Sequence, residues 1–212
     1  MKQQPCAITA LTLEAREQLP EAHLSGLWRV QTGAMRLNLH EPHDQNLIRM
    51  VLPGDLLGME QRVGITDHLV VHTLIPTTLI PVHPQDDAHL TRLLMEAVSH
   101  SYQRSRDMAA LRTGTTDERV RRLLLAIADP TSDPINATQT CVLPCLSDMA
   151  ALVNAAPETV CRSLSKLRRL NVLQDCSPQP SRHKQLGSRL HQLQGFAISP
   201  GSGLKRAMRT CV

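Results

Sequence analysis

Residues 146 to 171 read LSDMAALVNAAPETVCRSLSKLRRLN. Plotted at about 100° per residue, Val160, Leu164, Leu167 and, more loosely, Leu170 form one stripe, and Glu158, Arg162, Lys166 and Arg169 gather on the opposite face. The stripe needs a core. Ahead of it, SDMAALV makes a helix of about two turns that Ser147 can cap. Asn154 stands where the chain must leave that helix sharply, and after Gly it is the residue that best tolerates a left-handed backbone. Pro157 suits the first turn of the next helix, and Asn171 repeats the Asn154 solution at its end. Ala150 and Ala151 are small where the two helices must cross closely. A short helix, a tight turn and a second helix make a helix-turn-helix, whose second helix presents its N-terminal residues to the DNA major groove. A merely solvated basic helix would carry a similar polar face.

Upstream, the signals divide in two. From residue 27 to 82 they are those of strands. LWRVQTGAMRLNL places Leu27, Val30, Met35, Leu37 and Leu39 around a glycine; a polar turn, EPHDQ, and then NLIRMVL complete a hairpin. PGD at 53–55 is turn chemistry. HLVVHTLIPTTLIPV reads as two short β-branched runs separated by Pro76. Repeated short strands predict a small antiparallel β-roll. At residue 86 the pattern changes: from Asp86 to Gly114 there is neither Pro nor Gly, two acids open the segment, and Leu90, Leu93, Leu94, Ala97 and Val98 recur at helical spacing. This long helix has a polar middle, SHSYQRSR, and is either a dimer interface or a cover for its own roll. Thr115 and Glu118 then have capping-box spacing for a helix running toward Pro130. TSDPINATQTCVLP is a loop that ends in a short strand.

Composition narrows the functions available. The 212 residues contain one Trp, one Tyr and one Phe, so the core is aliphatic and base-stacking modules are disfavoured. Residues 1–134 hold 13 Lys or Arg against 16 Asp or Glu, a net of −3; residues 135–212 hold 10 against 3, a net of +7. A positive field confined to the C-terminal part favours a polyanion partner, although a solvated basic tail has the same composition. No run of eighteen apolar residues exists, and MKQQPCAITA has no signal-peptide core, so a cytoplasmic location with no membrane contact is expected. Six cysteines lack a disulfide framework, and Cys141 and Cys145 lack the second pair a zinc site needs. Nucleophile, base and metal constellations are absent from the pattern, so no enzyme is expected.

With these residues in view, the sequence resembles the Crp/Fnr family of bacterial transcription regulators. GLWRVQTGAMRLNL with VLPGDLLGME, then TTDERVRRLLLAIAD, then LPCLSDMAALVNAAPETVCRSLSKLRRLNVL carry the resemblance over roughly residues 27 to 175. It implies an α+β chain: a shortened, cyclic-nucleotide-binding-like antiparallel β-roll at 1–85, a dimerisation helix at 86–113, and a winged helix-turn-helix with a C-terminal extension at 114–212. It also implies a homodimer on a palindromic double-stranded DNA site, with RNA polymerase or another regulatory protein as a further kind of partner. Glu158 and Arg162 match the family's principal base readers, in keeping with a carboxylate accepting from cytosine N4 and a guanidinium donating to guanine. Ser147, Thr159, Ser163, Lys166 and Arg168 match positions that hold phosphates.

The departures bear on the effector. Cyclic-nucleotide-binding members carry Gly-Glu and then Arg-Ser after the PGD turn. Here GMEQRVGITDHL puts Gly58, Met59, Glu60, Asp67 and His68 at the matching places, and an acid there repels a cyclic phosphate. That argues against cyclic AMP. Cys6 is the only cysteine in the first 140 residues, so there is no iron-sulfur signature. Eight of ten histidines lie in the first 100 residues; His68 and His72, four apart in a strand, would stand about 13 Å apart, too far to share a metal or mark a haem site. Only 26 residues precede Leu27, so the opening elements of the roll are expected to be reduced. NVLQDCSPQPSRHKQL suggests an irregular wing, with SRLHQLQGFAISPGSGLKRAMRTCV a basic tail beyond it. An effector-independent regulator controlled by a protein partner, and a small-molecule or redox sensor with a protein-contact output, are the competing functions.

Overall fold

The computed structural model describes residues 10–41, 44–65, 67–128, 139–170, 173–175 and 196–198. Strands β1 (Leu11–Leu13), β2 (Leu27–Glu41), β3 (Asp44–Val51), β4 (Leu56–Leu57) and β5 (Leu69–Val82) form one antiparallel sheet in the order β1-β5-β2-β3, with β4 on β2. The short helices α1 (Glu21–Leu24) and α2 (Met59–Arg62) bracket the roll. The expected β2–β3 hairpin forms, pairing Met35 with Val51 and Glu41 with Asp44. The stretch before Leu27 is more than a remnant, because β1 pairs Leu11 with Leu79 and Leu13 with Thr77 at the far side of β5.

Pro76 does not divide its strand. β5 runs unbroken past it because the β2–β5 ladder is irregular at that point, stepping from Thr32 opposite Thr78 to Ala34 opposite Ile75. A residue without an N–H fits such a bulge at no cost to the ladder. Gly33 lies across from it with φ +93°, and a Cβ there would sit 2.4 Å from the Pro76 carbonyl oxygen, so only glycine allows the two backbones to close. The Thr77 hydroxyl fills the gap in the ladder, accepting from the Ala34 N–H at 3.2 Å and donating to the Ile75 carbonyl at 2.8 Å.

α3 (Asp87–Ala110) starts at Asp86, whose side chain accepts from the His89 N–H. Its 24 residues extend about 36 Å. Gly114 and the Thr115–Glu118 capping box open α4 (Thr116–Ile127) as the spacing predicts. α5 (Leu146–Val153) and α6 (Pro157–Arg169) follow. Asn154 between them is left-handed at φ 48°, and Ala155 N–H returns to the Ala150 carbonyl. The α5 cap differs from expectation: the helix begins at Leu146 after Cys145, with Ser147 already inside its first turn. Pro144 and the extended Cys145 backbone start the helix ahead of the serine.

A second small sheet flanks α6. β6 (Gln139–Cys141) and β7 (Leu173–Asp175) both pair with β8 (Phe196–Ile198), which lies in the middle. A strand that pairs with β7 therefore comes from the stretch read as a tail, at Phe196, while SRHKQL lies outside the described residues. Asn171, Pro178, Pro180 and the basic residues after Ile198 lie outside the described residues. The core is aliphatic throughout. One cluster fills the roll with Leu13, Leu19, Val30, Met35, Leu37, Val71 and Leu79; another joins Met50, Leu52 and Leu74 of the roll to Met108 and Leu111 of α3 and its C-terminal end, and to Val120, Leu123, Met149, Leu152, Val160 and Leu164 of the helical domain.

Candidate nucleic-acid interface

α6 is the helix the sequence singles out, and its two faces separate cleanly. Val160, Leu164 and Leu167 are buried against α4 and α5. Glu158, Arg162, Lys166 and Arg169 are exposed along the other side, and Thr159 and Arg168 are half-buried at its borders. Among the described residues, Glu158 and Arg162 form no ion pair with each other or with any neighbour, so their hydrogen-bonding groups point into solvent in the first two turns of the helix. Those are the turns a helix-turn-helix puts into a groove.

Three devices hold α6 at its angle. The left-handed Asn154 reverses the chain between the helices. Arg119 of α4 donates to the carbonyl oxygens of Val153 at 2.6 Å and Asn154 at 3.1 Å, satisfying the C-terminal end of α5 and the turn together. Asp117, at the start of α4, accepts from Ser163 Oγ at 2.7 Å and from Lys166 Nζ. Hydrogen bonds from Lys166 and Ser163 hold the Asp117 carboxyl below its usual range. A sibling contact secures the α3–α4 corner, where Arg122 donates to the Ala110 and Thr113 carbonyls at 2.8 Å and so caps α3. Sequence reading missed Arg119, Arg122 and Asp117; the only signal it took from this helix start was the neighbouring Thr115–Glu118 spacing.

Ser163 is a correction. It is 3% exposed and its hydroxyl is committed to Asp117, so it positions α6 from within and does not face a phosphate. Ser147 lies at the start of α5, its hydroxyl 3.0 Å from Cys145 Sγ. Lys166 keeps a largely exposed side chain while pairing with Asp117.

The residues matched to an effector pocket do not gather round one cavity. Gly58 is left-handed at φ +83°, and a Cβ there would lie 2.0 Å from the Gly26 carbonyl oxygen, so its glycine is required by backbone approach. Met59 is buried against Leu27, Leu56 and Leu93. Glu60 accepts from Arg49 at 3.0 Å. Asp67 and His68 are exposed ahead of β5, where His68 borders a separate hollow with His40 and Gln18.

The long helix turns an apolar line outward. Met95, Val98 and Tyr102 are exposed by 69%, 65% and 68%, while Leu93, Arg104 and Met108 are buried on the opposite side. One side of this helix covers the roll, as one of its two readings expects, and the other side is bare. Among the described residues no helix is long and apolar enough to cross a membrane.

Compared with known proteins, this architecture has clear counterparts. TTHB099, a CRP-family transcriptional regulator from Thermus thermophilus, aligns with a TM-score of 0.59 at 20% identity over 79% of this chain and 88% of its own. FixK2 from Bradyrhizobium japonicum aligns with a TM-score of 0.59 at 22% identity over 89% and 98%. A cyclic nucleotide-binding domain containing protein from Listeria monocytogenes EGD-e reaches 0.54 at 14% identity over 78% and 84%. No protein-family profile matches the sequence, and no curated protein sequence matches it either. The chain has the fold of the Crp/Fnr transcription regulators: an antiparallel roll, a long helix and a helix-turn-helix domain.

Proposed function

We propose that the chain is a sequence-specific DNA-binding transcription regulator, working as a homodimer on a palindromic site in the cytoplasm. The observation that carries this is the pair Glu158 and Arg162, exposed and unpaired on the first turns of a helix that Asn154, Arg119 and Asp117 hold rigidly. Arg162 donates in bidentate fashion to guanine O6 and N7, and Glu158 accepts from cytosine N4. Ser147, Thr159, Lys166 and Arg168 contact phosphates and set register. The dimer forms through the Met95, Val98 and Tyr102 line, whose spacings of three and four residues are those of a coiled-coil seam. Two heads then address half-sites about 34 Å apart. RNA polymerase or another regulatory protein is the natural further partner of such a dimer. No catalytic step is part of this reading.

Selection from a random duplex library at physiological salt tests it. The expected product is a palindrome with half-sites one helical turn apart. Arg162→Ala should relax preference at one position in each half-site, costing about 1–3 kcal/mol of discrimination there. Lys166→Ala should weaken all sequences alike. An unchanged preference in Arg162→Ala would remove Arg162 as the reader. Binding without sequence preference, falling away with salt, would instead support the sensor with a protein-contact output. The filled roll interior favours the variant in which no ligand enters the roll and control comes from elsewhere.

A further inference from the structure

Where the roll meets the helix-turn-helix domain, a crevice of about 370 Å³ is lined by Arg16, Arg36, His72, Thr73, Ser147 and Asp148. Pockets for small molecules start at about this size. Its wall is unusual for a domain junction: two guanidinium groups and an imidazole face a single carboxylate. Arg36 pairs with Asp148 at 3.1 Å across the junction. Asp148 is also committed on its other side, accepting from the Cys145 thiol at 2.8 Å. Arg16 has no side-chain partner among the described residues, and its backbone is left-handed at φ 68°, held by its N–H donating to the Thr73 carbonyl at 3.0 Å. A non-glycine residue in that conformation is strained, and such strain collects at ligand sites.

His72 also lines the crevice. Its Nδ1 is buried with no hydrogen-bond partner among the described residues. Burial and the Arg36 guanidinium hold its pKa below the usual imidazole range, only partly offset by Asp148. The start of α5 points the same way, since it has no side-chain cap and the first-turn amides of a helix have no partner within it. An unpaired guanidinium, a half-used guanidinium, an imidazole and an uncapped helix start border one polar space.

We propose that this crevice is a binding site for a small oxyanion, a phosphate ester or a polycarboxylate, held by Arg16, Arg36 and His72 from the roll and by the first turn of α5 from the reading head. The ligand competes with Asp148 for Arg36. It touches both bodies, so its binding is linked to how the head sits on the roll. That linkage rests on the DNA-binding reading above; the site itself rests on its own geometry, and is tested without DNA.

The test is isothermal titration of the full chain with inorganic phosphate and, separately, with citrate, at fixed ionic strength set by chloride. Saturable binding at one site per chain is expected for at least one of them, and which one binds identifies the ligand class. Arg16→Gln, at an exposed position, should weaken binding by about tenfold. Asp148→Asn should tighten it several-fold, because the competing acid is gone. Arg162→Ala should leave it unchanged, which separates the crevice from the basic face of α6. Failure of both anions to bind overturns the proposal. So does binding that Arg16→Gln leaves intact, that Arg162→Ala abolishes, or that Asp148→Asn weakens. In each case the DNA selection above stands or falls separately.

Discussion

The β-roll meets the rest of the chain at two junctions, and their charges are handled in opposite ways. At the first, Asp55 in the PGD turn is 1% exposed and accepts from the Leu52 N–H at 2.9 Å and from Arg104 of α3 at 2.8 and 3.3 Å, with His100 Nδ1 at 3.4 Å and Arg49 at 3.9 Å. Arg104 is itself buried; burial alone would lower its pKa, but Asp55 and Asp107 hold it above the usual value. Nearby, Arg29 of β2 makes a two-pronged pair with Glu96 of α3. At the second junction, a shared apolar cluster carries the contact and one ion pair, Arg36–Asp148, sits on the wall of an open crevice. A charge network shut away from water cannot exchange partners cheaply, whereas a pair beside water can. α3 is therefore fixed to the roll more firmly than the helix-turn-helix domain is.

Asp55→Ala tests this contrast most severely. It leaves Arg104 buried without its main partner and should cost about 3–5 kcal/mol of stability in urea unfolding. A loss below about 1 kcal/mol would place Asp55 with ordinary surface pairs and remove the rigid junction. Arg36→Ala should cost less, about 1–3 kcal/mol, because Asp148, though buried, keeps the Cys145 thiol as a partner and borders the crevice. Equal losses for the two variants would mean that both junctions are equally fixed.

Acid should reveal the same order with smaller effects. Glu96 is held below its usual range by the hydrogen bond from Arg29, and Asp117 by those from Lys166 and Ser163. A carboxylate with a depressed folded pKa adds stability above its ordinary pKa and loses it as pH falls through the folded value. Stability should thus decline from below about pH 5. Arg29→Met should flatten that decline, as seen in thermal unfolding followed across pH. Lys166→Ala should flatten it least, since Asp117 retains Ser163 and is mostly solvated.

Much of the helix-turn-helix domain was legible because its signals are local. The left-handed turn at Asn154, the Pro157 start of α6 and the Thr115–Glu118 box each depend on residues no more than four positions apart, and each stands where the sequence places it. The stripe of Val160, Leu164 and Leu167 is buried and the face of Glu158 and Arg162 is exposed. Pro76 misled because proline marks a break in a lone strand, but an irregularity in the ladder with the partner strand absorbed its missing donor. β8 was invisible because three residues, FAI, carry no period of their own and gain their place only by pairing with β6 and β7.

Periodicity, capping and composition are properties of neighbouring residues. They were enough to set the order of the parts, the helix-turn-helix with its two-faced second helix, and the aliphatic character of the core. Which charges are spent and which are free was settled by the folded chain. Ser163 and Lys166 meet Asp117, Asp55 gathers Arg104 and His100, and Arg36 finds Asp148, each across a long span of chain. A side chain's charge is written in the sequence, but its partner is whatever the folded backbone brings within about 4 Å, and that distance exists only after folding.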